Sequence, residues 1–189
     1  MGAGKSHTIQ TLQRRNLFPL SAFVRVDPDN LRTQLPEFHS YYNRIHPIQA
    51  GEMTRKEAGH LVELLTLTSL DHGKNVLVDG TLQDWIWYRD YFEYLCKNYP
   101  NIQIAILHVI APKSTIYHRV KERGRITGRF VPEQTLCKAI RQVPISMKHL
   151  SQHADFFCTL YNPPDADGDL EIRTDGVSWE NFKCWWKQT

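Results

Sequence analysis

After its initial methionine the chain reads Gly2-Ala3-Gly4-Lys5-Ser6-His7, and Gly4-Lys5-Ser6 supplies the last three places of the phosphate-loop pattern G-x-x-x-x-G-K-[ST]. Each residue type has a physical use there. Glycines let backbone N–H groups turn inward and approach phosphate oxygens, a lysine ammonium offsets phosphate charge, and a serine hydroxyl ligates Mg2+. A helix starting at this point adds the positive end of its dipole. Only the second half of the pattern is present, since its first glycine would fall before Met1. A flexible terminus uses the same residue types, so the rest of the chain has to supply the context.

Acids follow two apolar runs. Asp27 and Asp29 come after Ala22–Val26, and Asp79 comes after Asn75–Val78. In an open α/β sheet, ligands bind outside the carboxyl ends of the strands. Phosphoryl transfer to a hydroxyl needs a base for the proton, a cation bridging phosphates, and positive side chains where charge spreads. The aspartates suit the base and the metal shell. Arg119, Lys121, Arg123, Arg125 and Arg129 form a basic cluster able to clamp phosphates. The plainer uses are an Asx turn and helix N-cap around Pro28 for the aspartates, and a solvated helix face for the basic cluster.

Alternating elements are expected to position these groups. Ser6–Arg15 is read as a helix closed off by Pro19, and Ala22–Asp27 as a strand ending at a carboxylate. Thr54–His72, with Leu61, Leu64, Leu65 and Leu67 near helical spacing, is a helix stopped by Gly73, and Asn75–Val78 is a second strand. Trp85–Lys97 is a helix, Ile102–Ala111 a long buried strand, and Ser114–Arg123 a helix followed by a loop through Pro132. Glu133–His153 is expected to be helical with a break near Pro144, and Asp155–Tyr161 to be a last strand. From Asn162 the tail is Pro- and Asp-rich and ends in a short aromatic helix, Trp179–Trp186, expected to pack on the sheet edge. Strands alternating with helices imply a parallel sheet with right-handed crossovers. Residues 1–161 then form one domain and residues 162–189 a C-terminal extension.

Composition narrows the function classes. The 189 residues carry 23 Lys and Arg against 20 Asp and Glu, a net charge of +3, which gives no argument for a nucleic-acid or membrane partner. Cys96, Cys137, Cys158 and Cys184 are far apart with no C-x-x-C, so neither a zinc site nor a disulfide framework is indicated. His108, inside an apolar run, is expected in the core. No apolar stretch reaches the ~18 residues of a membrane span, and a soluble, cytoplasmic protein is expected.

The set GAGKS, VDPDNLRTQLPEF, NVLVDGTL and TGRFVPEQ, in this order, resembles the zeta toxin family of phosphate-loop kinases over roughly residues 1 to 160. The resemblance implies a three-layer α/β/α fold of the phosphate-loop NTPase type, with a mostly parallel sheet of order 2-3-1-4-5. It implies transfer of phosphate from ATP, with Mg2+, to a hydroxyl of a small molecule, a nucleotide sugar such as UDP-N-acetylglucosamine in the bacterial members. Gly2, Ala3, Gly4, Lys5, Ser6 and His7 match the nucleotide-binding loop, with Ser6 as the metal ligand. Asp29 matches the general base. Arg129 matches a lid arginine on the ATP phosphates, joined by Arg119 or Arg123. Glu63 and Thr81 fall where the family contacts the sugar nucleotide, and Asp27, Arg32 and Asp79 are further candidates for binding the acceptor.

The chain departs from the family at Asp79-Gly80-Thr81 and Gln83, where the toxins carry Glu-Gly-Thr and then an arginine two residues on. An amide does not replace a bidentate arginine on a phosphate, so the fold and ATP use carry over better than the acceptor. The strand expected before the phosphate loop is also absent, and its place in the implied order is central. Buried backbone groups left unpaired cost ~1–3 kcal/mol each against a total stability of ~5–15 kcal/mol. The sequence is therefore expected to be a fragment, a shortened isoform or a mis-assigned start, with ~10 or more residues upstream. Two other functions fit the same features: a polynucleotide-end kinase, and a non-catalytic nucleotide-binding module. A protein partner is left open.

Overall fold

The computed structural model describes residues 2–127, 131–164 and 170–186. Helix α1 (Lys5–Arg14) starts directly after Gly4 and buries Thr8, Ile9 and Leu12 on one face. Strand β1 (Phe23–Val26) is followed by three short helices, α2 (Pro28–Arg32), α3 (Pro36–Arg44) and α4 (Pro47–Met53), then by the long α5 (Arg55–Asp71) and by β2 (Asn75–Val78). The second half runs α6 (Trp85–Asn98), β3 (Ala105–Ile110), α7 (Lys113–Thr127), α8 (Glu133–Leu150), β4 (Phe156–Tyr161), β5 (Glu171–Thr174) and α9 (Trp179–Lys183).

The chain is an α/β protein with parallel strand pairs and helical connections. β1 pairs with β2 in parallel, Val26 opposite Val78. β3 pairs with β4 in parallel, Ile110 opposite Tyr161, and β5 adds an antiparallel edge to β4. Among the described residues these are two sheets, β1–β2 and β3–β4–β5. They contain the neighbour pairs 2-3 and 4-5 of the expected order as β1–β2 and β3–β4.

By contact the chain divides into two compact units. Unit 1 comprises Met1–Leu17, Thr81–Tyr117 and Glu133–Thr189; unit 2 comprises Phe18–Gly80 and His118–Pro132. In unit 1, Phe156, Cys158 and Leu160 of β4 are buried on one face, where Phe156 stacks on Phe182 of α9 with ring centroids 3.9 Å apart. On its other side Phe157 packs against Phe92, Ile104, Ile106, Met147 and Leu150, a core filled by α6 and α8. In unit 2, α5 packs on β1 and β2, and α2 packs on α5.

Three details differ from the sequence-based expectation. The tail helix α9 lies on β4, the middle strand of its sheet, where Phe156 offers a flat apolar face. α8 runs without a break through Pro144, because burial of Ala139, Ser146, Met147 and Leu150 holds the helix on both sides of it. α7 continues to Thr127, past the expected end at Arg123.

Candidate active site

In unit 1 the residues before α1 adopt a backbone that depends on glycine. Gly2 (φ 69°) and Gly4 (φ 87°) both lie in the left-handed region that glycine occupies without strain. Ala3 between them is buried. The Thr8 N–H donates to the Gly4 carbonyl at 2.9 Å and opens the helix. Gly4, at the N-cap, brings no side-chain acceptor, and no acidic residue occupies the first turn. An anion at this helix end therefore meets no competing carboxylate from the helix itself. Lys5 and Ser6 stand in that first turn, and Ser6 and His7 are exposed.

The loop is tied down from the far end of the chain. Asn162, just past β4 and only 6% exposed, donates from Nδ2 to the Ala3 carbonyl at 2.7 Å. Its own backbone N–H donates to the Ile110 carbonyl at 2.8 Å. The first loop is thus fastened where β3 and β4 end, the end of a parallel sheet at which ligands collect.

In unit 2 the parallel register carries the expected carboxylates to one place. Val26 and Val78 are opposite each other, and the Asp79 N–H donates to the Val26 carbonyl at 2.9 Å. Asp27 and Asp79 therefore follow side by side at the carboxyl end of β1–β2. Asp27 is the N-cap of α2, its Oδ1 accepting from the Asp29 N–H at 2.9 Å, so the plain helix-capping use is real for this residue. Asp29 in the first turn is set differently: its Oδ1 lies 3.5 Å from Nη1 of Arg32, and its side chain is 44% exposed. Arg32 reaches over Gly51, where an added Cβ would sit 3.6 Å from Nη1. Glu63 is half-buried on α5 of the same unit.

Arg119 and Arg123, one turn apart on α7, are both half-buried, while Arg125 pairs with Glu122 at 3.2 Å on the surface. Arg129 lies outside the described residues. Thr81 belongs to unit 1, and the loop it begins is held by α8. Ser146 Oγ donates to the Gln83 carbonyl at 2.7 Å, and the Gln83 and Gln142 side-chain amides are hydrogen-bonded to each other. Between them Leu82 has φ 49°, a left-handed conformation costly for a side chain with a Cβ, and it packs against the Phe92–Met147 core.

Burial shifts the pKa of two side chains of unit 1. Burial lowers the His108 pKa, with Phe157 beside the ring at 6.2 Å between centroids. Burial pushes the Cys158 thiol up to about 12. Among the described residues, no three His, Cys, Asp or Glu side chains are grouped to hold a metal ion. A groove of about 490 Å³ along the start of α8, lined by Glu133, Gln134, Cys137, Lys138, Arg141 and Gln142, contains none of the expected site residues.

Asn162, Ser146 and Gln142, which bond to the loops at Ala3 and Gln83, were not singled out by sequence reasoning. The one available signal was that Asn162 immediately follows a strand, at the ligand end of a parallel sheet.

A sequence profile of the zeta toxin family matches residues 1–167. No match was found among curated proteins. The fold is similar to a solved structure from the PezAT chromosomal toxin–antitoxin system of Streptococcus pneumoniae, with TM-score 0.64 and 18% identity over 91% of this chain and 68% of that one. With its glycine-turned loop opening α1 and its paired strand-end carboxylates, the chain belongs to the zeta toxin family of kinase-like phosphate-loop proteins.

Proposed function

We propose that the protein transfers the γ-phosphoryl group of ATP to a hydroxyl of a small-molecule acceptor, with a nucleotide sugar such as UDP-N-acetylglucosamine as the first acceptor to test. The observation that carries this reading is the loop before α1, where two left-handed glycines and an uncapped helix start precede Lys5 and Ser6.

The residues fit the groups that such a reaction needs. Gly2, Ala3, Gly4 and His7 contribute backbone to the phosphate loop, Lys5 meets the β and γ phosphates, and the Ser6 hydroxyl holds Mg2+. A Mg2+ held by Ser6 would supply positive charge against the phosphates. Asp29 accepts the proton of the acceptor hydroxyl as its oxygen bonds to the γ phosphorus and the bond to the ADP oxygen breaks. Asp29 fits this role better than Asp27, whose Oδ1 is taken up by the cap of α2. Arg119, Arg123 and Arg129 are assigned to the phosphates, and Asp27, Arg32, Glu63, Asp79 and Thr81 to the acceptor. Gln83 stands in place of the family arginine and is engaged with Gln142, so this position offers the acceptor no bidentate phosphate contact. We assign the reaction to the cytoplasm and, from the toxin–antitoxin system named for the similar structure, an inhibitory protein partner.

The test is phosphate transfer from γ-labelled ATP with Mg2+ to UDP-N-acetylglucosamine and, separately, to a 5′-hydroxyl oligonucleotide. Label on the sugar nucleotide, abolished by Lys5→Ala, supports the proposal. Label on the oligonucleotide alone makes the protein a polynucleotide-end kinase. Mg-ATP binding without transfer to any hydroxyl compound leaves a nucleotide-binding module.

A further inference from the structure

We infer that Asn162 is a positioning residue for the phosphate site, setting the direction of the Gly4 N–H through its hydrogen bond to the Ala3 carbonyl; this rests on the nucleotide-binding function proposed above. The Ala3 carbonyl and the Gly4 N–H share one planar peptide, and no cis peptide bond occurs among the described residues. In a trans peptide these two groups point in opposite directions. A donor that fixes the carbonyl on one side therefore fixes the N–H on the other.

Loss of that donor removes a bond that opposes turning the peptide over. Rotation of the plane is absorbed by ψ of Ala3 and φ of Gly4, and glycine tolerates either sign of φ. A flipped peptide would turn an oxygen, instead of an N–H, toward the anion. A nest of N–H groups binds phosphate only when its dipoles are aimed beforehand.

The clamp is built to hold one orientation. Ala3 O can only accept, so the Asn162 atom 2.7 Å away is Nδ2, the donor. The Asn162 side chain is buried, where exchange with water does not weaken the bond. Its backbone is itself anchored by the 2.8 Å bond to Ile110. Sequence separation does not matter to the peptide geometry, which is why a residue near the end of the chain governs a loop at its start.

Asn162→Asp keeps the shape and removes the donor, and Asn162→Ala removes the group. The probes are Mg-ATP and inorganic tripolyphosphate, the second lacking base and sugar. Binding is measured by calorimetry, with melting curves to establish that each variant is folded. Both variants are expected to bind both probes about 10-fold or more weakly, a loss of about 1.4 kcal/mol. In turnover the KM for ATP rises with the acceptor KM unchanged, a split that general destabilisation does not produce. In the wild-type protein, tripolyphosphate is expected to shift the Gly4 amide resonance and slow exchange of the Asn162 side-chain amide, a readout that needs no variant. Folded variants that bind tripolyphosphate as the wild type does, or a Gly4 amide indifferent to it, overturn the role of Asn162 alone. A wild-type protein that binds neither probe overturns the nucleotide reading and this inference with it.

Discussion

The buried hydroxyl of Ser146 donates to the Gln83 carbonyl at 2.7 Å, a contact across 63 positions of sequence. It holds a loop that has reason to move, because Leu82 beside it carries a left-handed backbone, a conformation worth ~1–3 kcal/mol of strain. Ser146→Ala leaves that carbonyl without its donor and should cost about 1–3 kcal/mol. The melting temperature should fall by about 2–4 °C for each kcal/mol lost. An unchanged melting curve would show that Leu82 packing and the Gln83–Gln142 bond hold the loop without it.

Asp29 and Asp79 should separate kinetically. Asp29→Asn removes the proposed base, so kcat should drop by ~100-fold or more while Mg-ATP affinity stays close to wild type. Asp79→Asn should raise the acceptor KM. Steady-state kinetics with ATP and acceptor varied in turn distinguishes them, and a reversal of the two phenotypes would exchange the roles.

Lys5→Ala should abolish the thermal stabilisation conferred by Mg-ATP. A ligand at about 100 times its Kd stabilises the folded state by ~2.7 kcal/mol, which a melting curve detects readily. A variant stabilised as much as wild type would remove Lys5 from the phosphate site.

His108 makes unit 1 sensitive to mild acid. Burial lowers its pKa from the ordinary value of 6.5, so the unfolded chain binds the proton more readily than the folded one. The stability it contributes is present above 6.5 and is lost as pH falls through the lower, folded value. His108→Phe should flatten that loss between pH 7 and 5, measured as melting temperature against pH. An identical profile in both proteins would mean that other groups govern the acid limb.

The four thiols should react in a graded order. Cys96 and Cys184 are exposed and Cys158 is buried, with its thiol pushed up to about 12. The thiolate is the reactive form. Alkylation of the native protein at pH 8 followed by mass spectrometry should label Cys96 and Cys184 and spare Cys158 until the protein is unfolded.

The long elements and the two parallel pairs were legible because their signals are local: NVLV and AILHVI are apolar runs, and α5 repeats leucine at helical spacing. Of the helices between β1 and α5, only the cap of α2 at Asp27 was readable. Pro28, Pro36 and Pro47 look like breaks, yet each stands in the first helical turn, where a missing N–H costs nothing. β5 was hidden because Glu-Ile-Arg-Thr is a charged edge strand. At the candidate site, the strand-end aspartates could be placed from sequence, because a parallel register aligns strand ends. Asn162 and Ser146 could not, since their partners lie 159 and 63 positions away and only the tertiary fold brings them together.

The distribution of indole rings between the two units has an optical consequence. Trp85 and Trp87 stand on α6, Trp179 is buried beside Phe156, and Trp185 packs edge-on against the same ring. With Trp186 these make up the 5 tryptophans of the chain, and all fall within unit 1. Unit 2 emits no tryptophan fluorescence, although its helices contribute to far-ultraviolet ellipticity. Emission and ellipticity followed through one denaturant titration therefore report on different parts of the chain: coincident midpoints mean that the units unfold together, and an ellipticity change at constant emission is the signature of unit 2 opening by itself.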